Sequence, residues 1–234
     1  MIIRLPKPVS CMMKVHFIAQ SGFIVEYMNQ RIAIDVWANN PVNSVSLDKV
    51  PKIDHVFVTH DHGDHDLKFG MEIAKRDNAT FHSSYEITYS ASKNGVMKTE
   101  SANIGGPYKS GKIEVILTYA EHSSDTGIPV GFIIKIGDRT LYHMGDTAYF
   151  KGLDFLGELY KPDTLFIPIG SRYTMGPIEA SYAVRDIHPA LVIPMHYNTS
   201  ESIEQDPNVF AELCKKSTPD SQVIIFKPGE VKEI

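Results

Sequence analysis

The stretch VFVTHDHGDHDLKFG, residues 56–70, decides how the chain is read. An apolar run, Val56-Phe57-Val58, leads into His60, His62, Asp64 and His65, four metal-ligand side chains within six positions. In an extended chain, residues i and i+2 project to the same side. His60 and His62, leaving the end of a strand, can therefore grip one ion together. Gly63 is expected to turn the backbone sharply. Asp64 and His65 then fall at the start of a helix predicted over Leu67–Asp77, where they face a second ion. A single His after a strand is ordinarily capped or solvated. Four such groups crowded together repel or desolvate one another unless a cation separates them.

Three later segments offer the same chemistry, each just after a predicted strand: His122 in YAEHSSD, Asp146 in YHMGDTAY and His196 in VIPMHYN. Strand-end loops are the usual place for a site in an α/β fold. Imidazole nitrogens and carboxylate oxygens suit Zn, Mn or Fe. The other histidines read as structural: His16, His55 and His82 lie in strands, and His188 ends a helix. His143 and Asp61 are candidates for supporting the ligands, and Asp66 for a helix N-terminus.

Around these motifs, strands are predicted at VHFIA (15–19), GFIVEY (22–27), RIAIDV (31–36) and HVFVT (55–59), with a tight hairpin at Asn29-Gln30. TFHSS (80–84) follows as a strand, then a helix over Tyr85–Lys93. The second half repeats the scheme. It has strands at 113–120, a hairpin across Gly137-Asp138 within 131–144, a helix over 150–160 and a strand at 164–169. A helix from Pro177 to about His188, a strand at 190–195 and a helix from Asn208 to Lys216 come next. SQVIIF (221–226) is read as the closing strand. Two β layers flanked by helices is the natural packing of that order.

The bulk numbers fit one large domain. The chain has 234 residues, 43% hydrophobic and 22% charged, enough for a sizeable core. Residues 1–12 read as an N-terminal extension and 13–234 as a single domain. The net charge of −5, with no Lys/Arg block, argues against a nucleic-acid partner. Cys11 and Cys214 form no disulfide framework, which fits a cytoplasmic protein. No run approaches the ~18 apolar residues of a membrane span, and prolines occupy the N-terminus where a signal peptide needs an apolar core.

THDHGDHD, AEHSS, MGDTAY and PMHYNT, in this order and spacing, resemble the metallo-β-lactamase-fold hydrolases. QSGFIVE, AIDVWANNP and PIGSRYTMGPIEA extend the resemblance to a branch of metal-dependent hydrolases similar to ascorbate-phosphate lactonase. The resemblance implies a four-layer αββα sandwich with a dinuclear site at one edge. It implies that His60, His62 and His122 hold one metal, that Asp64, His65 and His196 hold the second, and that Asp146 bridges them. Gln20 stands where many relatives have His, Trp37 follows Val36 in place of a Pro-Phe pair, and Ser171-Arg172 replaces an acidic-polar pair. Redox members of the superfamily carry Glu where His62 stands, so His62 favours hydrolysis.

The resulting expectation is a hydrolase using two divalent transition-metal ions (Zn, Mn or Fe) and a metal-activated water. Its substrate is expected to be a small ester, lactone or phosphoester. Asp64 and Asp146 are the catalytic carboxylates, orienting the water and moving its proton. Arg172, Tyr173 and Tyr197 are the candidate substrate contacts, with Met175 and Gly176 as a pocket wall. The alternatives are a phosphodiesterase acting on a nucleotide-type substrate and a non-catalytic metabolite-binding regulator. A small molecule is the expected partner, with no nucleic acid and no membrane; a homo-oligomer is implied by the resemblance alone.

Overall fold

A computed structural model describes residues 12–234; the proposed extension, apart from Met12, lies outside the described residues. The first half contains β1 (Lys14–Ala19), β2 (Gly22–Tyr27), β3 (Gln30–Ile34), β4 (His55–Phe57), α1 (Leu67–Asp77), β5 (Thr80–Ser83), α2 (Tyr85–Lys93) and β6 (Thr99–Ser101). The second half contains β7 (Tyr108–Ser110), β8 (Ile113–Tyr119), β9 (Val130–Ile136), β10 (Arg139–His143), α3 (Leu153–Tyr160), β11 (Thr164–Pro168), α4 (Pro177–Ile187), β12 (Leu191–Met195), α5 (Pro207–Ser217), β13 (Gln222–Val223) and β14 (Val231–Glu233).

Two seven-stranded sheets share one plan: β14-β1-β2-β3-β4-β5-β6 and β7-β8-β9-β10-β11-β12-β13. In each, the strands on one side pair antiparallel through hairpins, and those on the other pair parallel across helical crossovers. The central strands are buried on both faces, so alternate residues enter different cores. Phe23 and Val25 of β2 point between the sheets with Phe57, Phe132, Ile134 and Phe166, while Ile24 joins Val56, Phe69, Ile73 and Ile87 beneath α1 and α2. In the second sheet Ile116, Ile133 and Leu165 face Leu153, Val184 and Phe210 of the α3–α5 layer. Three cores separated by two sheets make the αββα sandwich.

Three expectations shift. The β2–β3 turn falls at Met28-Asn29, both with φ near +50° (48° and 57°), one residue before the expected Asn29-Gln30; Gln30 already pairs in β3. Gly63 is not where the backbone needs glycine. Residues 63–65 form a 3-10 turn, and the left-handed residue is Asp66, φ 42°, which caps α1 by accepting from Phe69 N at 3.1 Å. SQVIIF does not close the chain. Only Gln222–Val223 pair as a strand with β12; a turn through Gly229 (φ 78°) then returns the backbone to the first sheet, where β14 lies against β1. Met13 and Ile234 exchange both backbone hydrogen bonds there, at 3.0 and 2.8 Å. The short strands β6, β7 and β14 escaped the hydropathy pattern because each is polar and outermost in its sheet or nearly so.

Phe57 joins the two sheets three residues before the ligand run begins at His60. Its ring stacks on His82 (centroids 4.3 Å, 10°) and meets Phe132 of the other sheet edge-on (5.0 Å, 68°). Phe57→Ala is expected to lower the unfolding free energy by about 3–5 kcal/mol, read in a urea titration. A loss under ~1 kcal/mol would show that the pair does not join the layers.

Candidate metal centre

Every residue of the predicted ligand set follows the C-terminal end of a strand: His60 to His65 after β4, His122 after β8, Asp146 after β10 and His196 after β12. The fold brings all seven together. His60, His62 and His122 form one group, and Asp64, His65, Asp146 and His196 another; within each group one donor atom per residue lies within 4.8 Å of all the others. In the first group His60 Nε2 is 3.0 Å from His62 Nδ1, which is 3.3 Å from His122 Nε2. Asp146 Oδ2 stands between the groups. It is 2.8 Å from His196 Nε2, 3.3 Å from His65 Nε2, 3.7 Å from His122 Nε2 and 4.0 Å from His60 Nε2.

Neighbouring polar groups aim these donors. Asp35, just past β3 with φ 45°, accepts from Thr59 N (2.8 Å) and Thr59 Oγ1 (2.7 Å), and its Oδ2 lies 2.8 Å from His65 Nδ1. His65 Nδ1–H therefore points at Asp35, and Nε2 turns its lone pair toward the centre. The Thr59 hydroxyl proton is committed to Asp35, so Thr59 Oγ1 accepts from His60 Nδ1–H at 3.0 Å and leaves His60 Nε2 free in the same way. Gln20 donates from Nε2 to Asp64 Oδ2 at 2.7 Å, and its Oε1 accepts from Thr199 Oγ1. Asp61 accepts from Ser124 Oγ, Asp125 N and Thr126 N, tying the His122 loop to the HxHxDH run. His143 is buried below the centre and donates from Nε2 to the Ser21 carbonyl at 2.9 Å. Gly170 is required sterically: a Cβ there would stand 2.1 Å from the His196 carbonyl oxygen.

The donor set suits a cation. His65 Nε2 is buried with no well-formed hydrogen bond, its Asp146 neighbour standing off at 3.3 Å, which is costly in a metal-free protein. Burial drives His60 down to about 2, so its imidazole is neutral. His196 is also disfavoured by burial, yet the Asp146 and Asp64 carboxylates outweigh that and raise it to about 9. Burial likewise opposes ionisation of Asp146, and His196 and His65 overcome it, holding the carboxyl well below its usual range.

The donors open onto a cavity of about 430 Å³, whose remaining walls are Gln20, Trp37, Ser123, Tyr173, Thr199, Ser200 and Ile203. Of the three predicted substrate contacts, only Tyr173 lines it. Arg172 is exposed, with its guanidinium carbon 5.2 Å from the Tyr173 ring centroid, and Tyr197 packs into the core beneath α3–α5. Met175 is buried in that same core. Trp37, Thr199, Ser200 and Ile203 were not among the sequence candidates as wall residues. A second cleft, about 420 Å³ beside the β2–β3 turn, offers no comparable chemistry: its Glu26 is paired with Arg31 at 2.7 Å and Lys14 at 3.7 Å.

Residues 30–197 match the family model described as the beta-lactamase superfamily domain. A UPF0173 metal-dependent hydrolase of Caldivirga maquilingensis is 46% identical over 217 residues, covering 92% of this chain and 95% of the relative. Another from Thermofilum pendens is 39% identical over 229 residues, covering 95% and 99%. Among solved structures, Igni18, a metallo hydrolase from Ignicoccus hospitalis, superposes with a TM-score of 0.88 at 38% identity, covering 96% of this chain and 99% of that one. The chain belongs to the metallo-β-lactamase superfamily and is a metal-dependent hydrolase. No helix among the described residues is long and apolar enough to cross a membrane.

Two outcomes follow from the geometry. Gln20→Ala removes the donor that fixes Asp64, and metal affinity should fall about tenfold, read by competition with a chromophoric chelator; unchanged affinity would make Gln20 a bystander. The second concerns pH. In metal-free protein the raised His196 contributes stability fully below 6.5, and that contribution is lost as pH rises through about 9. Metal binding must displace the same proton, so affinity climbs over that window. Thermal melts of metal-free and metal-loaded protein should therefore diverge between pH 6.5 and 9; a constant gap would contradict the assignment.

Proposed function

We propose that this chain is a dinuclear hydrolase of a small ester or lactone. His60, His62 and His122 would hold one divalent transition-metal ion (Zn, Mn or Fe), Asp64, His65 and His196 the second, and Asp146 both. The observation that carries this reading is the position of Asp146 Oδ2, within 4.0 Å of nitrogens from four histidines drawn from both groups. Such ions, when bound, acidify water to near neutrality and stabilise the anion that develops on the attacked group.

The chain's own groups do the rest. Asp64 and Asp146 face the cavity as carboxylates kept ionised by their imidazole neighbours. They orient the attacking water and take up its proton. Asp35 and Thr59 hold His65 and His60 in the tautomers that leave Nε2 free. The walls include no Lys or Arg, which supports an ester or lactone over the phosphodiester reading, since phosphate recognition ordinarily recruits cationic side chains. We assign the enzyme to the cytoplasm on the free thiol of Cys214, whose burial raises it to about 12 and keeps it unreactive.

Purified protein is expected to carry close to two transition-metal ions per chain by elemental analysis. Asp146→Ala should abolish turnover of a lactone and ester panel, a loss of ~10³-fold or more, while circular dichroism stays native. A metal content near one, or full activity in the variant, would overturn the dinuclear assignment.

A further inference from the structure

We propose that the cavity selects an uncharged substrate whose apolar portion lies between Trp37 and Tyr173, over Ile203. This rests on the hydrolase reading above and names its substrate class. Two aromatic rings from opposite halves of the chain and one buried aliphatic side chain line the space above the donors. Trp37 is half-buried, Ile203 is 3% exposed and Tyr173 is 51% exposed. The remaining walls are neutral: the amide of Gln20 and the hydroxyls of Ser123, Thr199 and Ser200. No Lys or Arg is among the walls, so an anionic tail on the substrate would meet only neutral side chains there, and desolvating it would cost affinity. An aryl or alkyl group gains by covering the rings.

The backbone carrying Tyr173 is built to hold it in place. Ser171 and Arg172 are consecutive left-handed residues, φ 62° and 54°, and neither is glycine. Non-glycine residues adopt that conformation only under constraint, and the surroundings enforce both. Ser171 N bonds Met175 O at 2.9 Å, Thr174 N bonds Ser171 O at 3.2 Å, and Met175 N bonds Thr147 O, beside Asp146, at 3.0 Å. Arg172, the charge nearest in sequence, lies over the Tyr173 ring. Ile203 is fixed likewise: Asn198 N bonds its carbonyl at 3.0 Å and its own N bonds Ser200 O at 3.2 Å. Rigid walls beside a reacting centre are how binding groups confer selectivity.

The test compares p-nitrophenyl hexanoate with mono-p-nitrophenyl adipate on metal-loaded protein. The two share a leaving group and differ in a terminal carboxylate, placed too far along the chain to attack its own ester through a five- or six-membered ring. The expected kcat/KM favours hexanoate by about tenfold or more. Trp37→Ala and Tyr173→Ala should each shrink that ratio mainly through KM, Trp37→Phe and Tyr173→Phe should keep it, and Ser200→Lys should raise the adipate ester. Trp37 is the chain's single tryptophan, so its emission reports occupancy without turnover. Acetanilide, a neutral aryl amide, should shift the emission of metal-free protein, benzoate should not, and Tyr173→Ala should lose the shift. Equal handling of the two esters, or a ratio unmoved in both alanine variants, overturns the inference. If neither ester is cleaved but acetanilide alone still shifts Trp37, the hydrolase reading fails and the apolar subsite stands. If both esters are cleaved equally and the emission never moves, the subsite fails and the hydrolase reading stands; silence in both assays removes both.

Discussion

Lone pairs that face one another at 3 to 4 Å are the constraint on which this molecule turns. Five imidazoles and two carboxylates meet at one edge of the sandwich; in the absence of a cation the pairing of His196 with Asp146 favours that meeting, and the crowding of the other nitrogens opposes it. Side chains left to themselves would rotate away. Four of them are held by groups outside the cluster. Asp35 and Thr59 occupy the far nitrogens of His65 and His60, Gln20 holds Asp64, and Asp61 holds the loop that carries His122. In His65 and His60 the inward Nε2 is free because the outward Nδ1 is taken.

That arrangement is costly to the backbone as well. Twelve described non-glycine residues have positive φ, and seven of them stand in or beside the centre: Gln20, Asp35, Asp66, Ser171, Arg172, His196 and Asn198. Left-handed conformations cost about 1–3 kcal/mol each outside glycine. They persist where hydrogen bonds over-determine them. His196 N bonds the Gln20 carbonyl at 2.7 Å, so two left-handed residues from different sheets hold each other. The strain is concentrated where strands end and side chains must leave the sheet direction to converge.

Those local devices explain what was legible in the sequence. The fold was readable because buried strands are long apolar runs, α1 starts behind the Asp66 cap and α4 starts on Pro177 in its first turn. The ligand set was readable because His60, His62, Asp64 and His65 cluster by themselves, and the later three follow apolar strands. The cavity wall was harder. Trp37, Thr199 and Ser200 sit in loops and Ile203 in a single 3-10 turn, none with a periodicity to read, and their approach to the centre depends on how the two sheets pack. Arg172 stands out in the sequence because Ser171-Arg172 replaces an acidic-polar pair; in the fold its guanidinium lies over the Tyr173 ring and only Tyr173 reaches the cavity wall. Gln20 was noticed only as a departure from a pattern, whereas its role is a hydrogen bond across 44 residues.

The two sheets have the same strand order, and the donors divide between them: four follow β4 in the first sheet, three follow strands of the second. A cation held by both sets therefore cross-links the layers at one edge, as Phe57 and Phe132 do in the interior. Binding energy realised only when both sheets are in register becomes folding energy. The converse also holds. A substitution that lets the sheets slide by a fraction of an ångström weakens the centre without touching a ligand, because Asp146 Oδ2 must satisfy histidines from both layers at once. Metal affinity and inter-sheet packing are in this sense one property, and the apolar contacts nearest the strand ends matter to both.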